Sequence, residues 1–427
     1  MIIGIDDTDS REGMCTTYLA ALIIDELSDF CTLLAEPLII RLNPTIPYKT
    51  RGNASVAINI ECDDTQAVIE HVVSRVSHFS RMECDTTNPG VAFVMDEQFS
   101  RVKNELGDFF KRAVTDVIPI DDAKNLAKKL GLEFRTFKNG RGLIGSLAAC
   151  GAMLNPGWDH TFEYLAYRKQ DLWGSSRSVN IGSIYKADKN TYPNTWDSVD
   201  FANNLVVCVP HSHDPVLFGI RGVDKLSVIN AGGVVISEPV ERICVFKTNQ
   251  GTDMHLLPVS GIADIEDMHS YTLEATVHSK TKTIRGGHSI FILEDDSGLT
   301  IDCAAFEPTK NFRDIIRKLV PGDRVVVYGS VMDHTFNVEK INILSLADDY
   351  VVMNPECPKC GKRMKSAGSG QGYRCKKCGT SSNEMESTKI EREIEVGFYE
   401  VPPCARRHLA KPLIRFENSK FNTFPGR

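Results

Sequence analysis

Apolar runs of about five residues, separated by polar loops and amphipathic stretches, set the rhythm of the first hundred positions. Met1-Ile2-Ile3-Gly4-Ile5 predicts a short buried strand, and the polar run Asp6-Asp7-Thr8-Asp9-Ser10-Arg11-Glu12-Gly13 a loop. A helix is expected from Thr16 to Leu27, strands at 38–42 and 54–61, a helix at 65–76 and a strand at 91–96. Strands alternating with helices place this first unit in the α/β or α+β class. From about Phe137 a Gly-rich stretch opens a helix of small residues, and strands are expected at 162–167, 205–210 and 243–247, which reads as a second α+β unit.

Between 271 and 346 the period changes to two. The alternation predicts a long strand at 271–284, strands at 289–294 and 299–306 around an acidic Gly turn, a short helix at 311–319, and strands at 324–331 and 336–343. Five strands with a helix between the third and fourth is the order of an OB-fold, a common platform for single-stranded nucleic acid. With 427 residues, three or four domains are expected. No apolar run reaches the ~20 residues that cross a bilayer. The start lacks the basic and apolar regions of a signal peptide, so a cytoplasmic protein is expected.

Charge is unevenly placed. Residues 351–427 hold 15 Lys and Arg against 8 Asp and Glu, a net +7 that leaves −14 for the first 350. A basic end on an acidic body suits a local RNA-binding surface. Its centre is Cys357-Pro358-Lys359-Cys360, fourteen residues, then Cys375-Lys376-Lys377-Cys378. Two-residue spacers fold both thiolates of a pair onto one ion, and four sulfur ligands leave no open position, so structural zinc is expected at Cys357, Cys360, Cys375 and Cys378. Lys376 and Lys377 beside the cysteines, and Arg406, Arg407, His408 and Lys411 downstream, are the candidate RNA contacts, because Arg and His both pair phosphates and stack on bases.

Asp6, Asp7 and Asp9 follow a strand end, where side chains converge on a ligand crevice. Carboxylates this close repel unless a cation lies among them, and hard oxygens select magnesium bridging to nucleotide phosphates. Cys15-Thr16-Thr17 then opens a helix, so that a threonine hydroxyl either receives a phosphoryl group or simply caps the helix. A second loop, Pro47-Tyr48-Lys49-Thr50-Arg51-Gly52-Asn53, supplies cations for transferred phosphates, and no Gly-rich loop ending in Gly-Lys-Ser/Thr is present.

Gly4-Ile5-Asp6-Asp7-Thr8-Asp9-Ser10, Gly13-Met14-Cys15-Thr16-Thr17, Lys49-Thr50-Arg51-Gly52-Asn53, Thr87-Asn88-Pro89-Gly90, Gly140-Arg141-Gly142-Leu143-Ile144-Gly145, the OB-fold, the four cysteines and Ala405-Arg406-Arg407-His408-Leu409 together resemble, in that order, the archaeal tRNA agmatinylcytidine synthetases. The resemblance spans the chain. It implies a multidomain α+β protein: an atypical α/β kinase domain over 1–135, a ferredoxin-like domain over 136–265, the OB-fold β-barrel over 266–349, a zinc ribbon over 350–400 and a basic RNA-binding tail over 401–427. It also implies an ATP-dependent ligase that phosphorylates the C2 carbonyl of the wobble cytidine in the anticodon loop of an isoleucine tRNA. The agmatine amine then displaces phosphate, AMP is released, and the modified base pairs with adenine. On this resemblance Thr16, with Thr17 as the near alternative, is the self-phosphorylated residue. Asp6, Asp7 and Asp9 hold magnesium and position ATP, and Thr8, Lys49, Arg51 and Asn53 contact the nucleotide. Agmatine's guanidinium calls for carboxylates or carbonyls beside an aromatic wall, expected around Trp158, Asp159, Trp173 and residues 210–214. The rival expectation is a non-enzymatic single-strand-binding protein, which leaves the acidic loop and the first 250 residues without a role.

Overall fold

In the computed structural model, which describes residues 1–50 and 52–416, the Ile2–Asp6 strand lies inside a ten-stranded sheet, antiparallel to Ala54–Cys62 on one side and Gly90–Val94 on the other. Each residue of Ile2–Asp6 is buried, as its unbroken apolar run requires. The Thr16–Leu27 and Thr65–Phe79 helices cover one face; Asp64 caps the second by accepting from the Ala67 amide. The amphipathic Phe99–Thr115 helix covers the other through Val102, Leu106, Phe109 and Phe110.

The boundary expected near residue 135 does not separate two cores. The Gly142–Leu154 helix, apolar on all sides, packs into one cluster with Ile2, Leu38, Val102 and Leu106 from the first unit. Burying a side chain such as Leu147 there contributes ~1.5–3 kcal/mol, so the helix belongs energetically to the first unit. The sheet is also continuous: Val240–Thr248 pairs in parallel with Leu38–Arg41, Lys247 opposite Leu38 and Thr248 opposite Ile39. Thr161–Arg168 and Val216–Gly222 extend it onward, with a separate apolar cluster beneath the Ile181–Thr191 and Lys225–Val234 helices. The strand expected at 205–210 is reduced to Leu205–Val206.

The barrel closes as expected. Ser270–Val277, Ser289–Glu294, Thr300–Ala305, Thr335–Ser345 and Arg324–Met332 pair successively, and the last returns to the first. Only the Thr300–Ala305/Thr335–Ser345 contact is parallel, the order of an OB-fold, with the Phe312–Arg317 helix between the third and fourth strands. The strand expected through 284 stops at Val277, where the His278 amide turns to the Ile292 carbonyl. Beyond the barrel, Asp349–Met353 and Glu386–Ile390 form a two-stranded stalk that carries the cysteine ribbon. Gly397–Glu400 then rejoins the barrel edge, and residues 401–416 fold back across the main sheet. The segment expected as a tail is therefore, as far as residue 416, a strap packed on both units; Gly251, Thr252 and Asp253 donate their amides to the His408 and Leu409 carbonyls.

Candidate active site

The central strand delivers Asp6 to the edge of a cavity of about 380 Å³. Asp7 takes a left-handed backbone (φ 58°), which bends the loop so that its Oδ2 accepts from the Asn88 amide at 3.1 Å. Thr87 Oγ1 donates to the Asp9 carbonyl at 2.7 Å, and the Ser10 amide closes the loop on the Gly13 carbonyl at 3.0 Å. The Asp loop and Thr87-Asn88 thus form one substructure.

Burial, aided by the neighbouring Asp7, pushes the Asp6 carboxyl well above the usual carboxylate range. Burial and then Asp9 push Asp7 up to about 7, against the hydrogen bonds from Asn88 and a smaller pull from Arg141. The three carboxylates of the loop raise one another's pKa, a repulsion that a cation or protons would relieve.

Two glycines make this arrangement possible. A Cβ on Gly142 would lie 2.4 Å from the Gly90 amide nitrogen, and one on Gly145 would lie 1.9 Å from Asp6 Oδ2 and 2.5 Å from its Cγ. The helix can approach the acidic loop only without side chains at these points. Gly145→Ala is expected to swing the Asp6 carboxylate aside and lower kcat about a hundredfold, the scale of a misplacement near 1 Å. Affinity for the RNA that the resemblance implies, measured by filter binding, should stay unchanged.

The helix after the loop begins at Thr16, and Cys15 at its N-cap makes no side-chain capping bond. Thr16 is therefore not spent on capping. Its buried hydroxyl accepts from Thr8 Oγ1 at 3.1 Å and borders the cavity beside the acidic loop. Thr17 also borders the cavity but is engaged with Cys15 Sγ at 3.0 Å.

The opposite wall is cationic. Lys49 and Asn53 line it, Lys49 bonding to the Pro44 carbonyl and Asn53 donating to the Asn43 carbonyl at 2.8 Å. Burial holds Lys49 below its ordinary pKa, helped by Arg407. Arg51, expected here, lies outside the described residues. Arg41, Arg221 and Glu163, which carried no signal beyond a charge at a strand position, complete the wall; Glu163 bonds to Arg221 Nε at 3.2 Å and sits 3.9 Å from Arg41.

The strap residues are placed otherwise than a free RNA-binding tail requires. Arg406 is buried between Asp197 (3.1 Å) and Glu400 (2.9 Å). Arg407 pairs with Glu339 at 3.1 Å, and Lys411 with Asp159 at 3.3 Å. His408 borders the cavity, its Nδ1 2.9 Å from Gln250 Oε1 and 2.8 Å from Arg221 Nη2. Burial, then Arg41, Arg221 and Lys49, hold its pKa well below 6.5, so the ring is neutral. Lys376 and Lys377, by contrast, are exposed on the ribbon.

Of the residues expected around an agmatine pocket, Pro210, Ser212 and Asp214 border the cavity. Trp158 and Trp173 do not; their indole nitrogens donate to the Ala152 and Arg168 carbonyls, and Asp159 is taken by Lys411 and Arg415.

The four ribbon thiols gather within 4.8 Å of one another, with Cys357–Cys378 at 3.3 Å, Cys360–Cys375 at 3.6 Å and Cys360–Cys378 at 3.8 Å. Tetrahedral zinc–thiolate bonds of ~2.3 Å imply sulfur separations of roughly 3.8 Å, so the set fits that ion.

An acid-walled, cation-walled cavity joined to an OB-fold and a four-cysteine ribbon defines a multidomain α+β protein with a polar catalytic centre and a nucleic-acid-binding module. Family models match along the chain: the TiaS TCKD domain at 2–64, the TiaS FLD domain at 140–255, an OB-fold nucleic acid binding domain at 271–344 and the TiaS C-terminal zinc ribbon domain at 354–394. The tRNA(Ile2) 2-agmatinylcytidine synthetase TiaS of Methanosarcina acetivorans is 57% identical over 428 residues, with 100% of both chains covered. Two solved structures are similar over 99% of each chain: the TiaS–tRNA(Ile2)–ATP complex, at TM-score 0.90 and 44% identity, and the TiaS–tRNA(Ile2)–AMPCPP–agmatine complex, at 0.88 and 41%. The chain belongs to the tRNA(Ile2) 2-agmatinylcytidine synthetase family.

Proposed function

We propose that this protein is an ATP-dependent ligase that joins agmatine to C2 of the wobble cytidine of an isoleucine tRNA with a CAU anticodon. The observation that carries the reading is the one cavity lined by Asp6, Asp7, Asp9 and Thr16 together with Lys49, Arg41 and Arg221, in a chain similar to proteins solved in complex with tRNA(Ile2), ATP and agmatine. A non-enzymatic binding protein would not need a buried, like-charged acidic centre, which costs stability unless a ligand offsets it.

The chemistry follows from a poor leaving group. The C2 carbonyl oxygen cannot depart until phosphorylated; once it is, the amine nitrogen bonds to C2, the C2–O bond breaks, and the oxygen leaves within phosphate while nitrogen loses a proton. Magnesium held by Asp6, Asp7 and Asp9 would neutralise the phosphates. Lys49 and Arg41 draw the phosphoryl oxygens to the cationic wall, Thr8 orients the Thr16 hydroxyl, and of the two phosphoryl groups that ATP gives up in becoming AMP one goes to Thr16, displacing its hydroxyl proton, and the other to the C2 oxygen. The acidic unit acts as an atypical kinase domain and the unit completing the sheet as a ferredoxin-like one. The wobble base must leave its stack to reach the cavity, which costs less in a single-stranded loop than in duplex. The OB-fold and the exposed Lys376 and Lys377 of the zinc-bound ribbon grip the tRNA meanwhile. Among the described residues no helix is long and apolar enough to cross a membrane, and we place the reaction in the cytoplasm.

The test is mass spectrometry of the anticodon fragment of unmodified isoleucine tRNA incubated with protein, ATP, magnesium and agmatine. A gain of agmatine minus water on the wobble cytidine, dependent on ATP, is expected. Bound but unaltered RNA would overturn the reading.

A further inference from the structure

At the end of the central strands opposite the acidic loop, the short Cys31–Leu33 strand pairs antiparallel with the end of Ala54–Cys62, and Cys31 lies directly opposite Cys62. The ladder's phase fixes how close they are. The Leu34 amide donates to the Asn59 carbonyl at 2.9 Å, so Leu34 and Asn59 form a hydrogen-bonded pair. Counting back along the register, Thr32 and Glu61 form the next such pair, and Cys31 with Cys62 falls at a non-hydrogen-bonded position. Facing Cα atoms there are ~4.5 Å apart, inside the range of roughly 4.4–6.8 Å that a disulfide spans. Both residues are partly exposed, so a small reagent can reach them.

We propose that Cys31 and Cys62 form a reversible cross-strand disulfide, a modification site that staples the cavity-forming part of the chain without moving its backbone. The bond encloses residues 31–62, which contain Arg41, Lys49 and Asn53 of the cationic wall. A low-molecular-weight disulfide such as oxidised glutathione is the co-reactant. One cysteine sulfur attacks it and releases one reduced thiol; the other then attacks the mixed disulfide and releases the second. The two cysteine protons end on the two released thiols, so two cysteines are oxidised as one small disulfide is reduced. Burial raises both thiols, and the facing Cys62 adds to it at Cys31, pushed up to about 11, so Cys62, which is raised less, is the better first nucleophile. Slow formation and slow loss follow, as suits a staple more than a rapid sensor.

The full-length, zinc-loaded protein incubated with oxidised glutathione should lose about 2 Da, map to a Cys31–Cys62 peptide under non-reducing digestion, and gain several degrees in Tm, because a closed loop restricts the unfolded chain. Agmatine transfer should be unchanged, and a reducing agent should return the original Tm. Cys31→Ser should abolish the mass change and the Tm gain while keeping the reduced protein's Tm. Separate alkylation of both thiols after oxidation, a stable glutathione adduct on either, or a Tm gain that survives in Cys31→Ser would each overturn the proposal.

Discussion

Thr16→Ala is expected to reduce agmatine transfer to background while leaving tRNA affinity and Tm close to those of the unchanged protein. The hydroxyl is buried, accepts from Thr8 and stands beside three carboxylates at the start of a helix, yet it caps nothing. A buried hydroxyl bonded only to another hydroxyl contributes about 1 kcal/mol to folding, so its removal does not threaten the fold. Its loss should be chemical. Removing a covalent acceptor eliminates a step instead of slowing it, whereas losing a single hydrogen bond to a phosphate would cost only ~10-fold. Thr17→Ala serves as the comparison, because Thr17 is turned to Cys15. The readouts are incorporation of labelled phosphate from ATP into protein and the mass of the anticodon fragment. Full loss of both in Thr16→Ala with retention in Thr17→Ala assigns the acceptor; the reverse pattern moves it one residue on, and retention of transfer in both variants removes self-phosphorylation from the reaction.

What the sequence made legible follows the range of the forces involved. The barrel could be read because period-two alternation is local: strands expected at 289–294 and 324–331 are found at Ser289–Glu294 and Arg324–Met332. The acidic loop could be read because its residues are contiguous. The shared packing of the Gly142–Leu154 helix could not be read, since it is apolar on every side and nothing in it says which core it enters. The joining of the two units rests on Lys247 and Thr248 meeting Leu38 and Ile39, more than two hundred residues apart. The same distance hid the fate of the strap. Arg406-Arg407-His408 reads as a free cationic cluster because its partners Asp197, Glu339 and Gln250 lie far back in the chain. Residues 417–427 of that segment lie outside the described residues. Charge clustering picked out the segment but not its packing: Arg406 joins the barrel edge to the main sheet, and His408 helps enclose the cavity.

Cys375→Ser is expected to unfold the ribbon alone and cut tRNA affinity at least tenfold. The ribbon's apolar cluster consists of Cys357, Met364, Tyr373 and Cys375 with Cys360 against it, and its strands are two residues long. So small a core cannot offset the ordering of some forty residues, whereas thiolate–zinc ligation in small domains contributes ~10–16 kcal/mol at neutral pH. With one ligand gone, Lys376 and Lys377 lose the fixed positions that ligation gives them. The barrel and the main sheet have clusters of their own and should keep their unfolding transition. Metal analysis should show bound zinc lost, calorimetry an unchanged main transition, and binding titrations a shallower dependence of affinity on salt, because fewer phosphates are neutralised. Self-phosphorylation at Thr16 should persist, since the acidic loop is built without any ribbon residue. Unchanged tRNA affinity and salt dependence in the zinc-free variant would take the ribbon out of the RNA-binding surface, and loss of self-phosphorylation would show that the ribbon also supports the cavity.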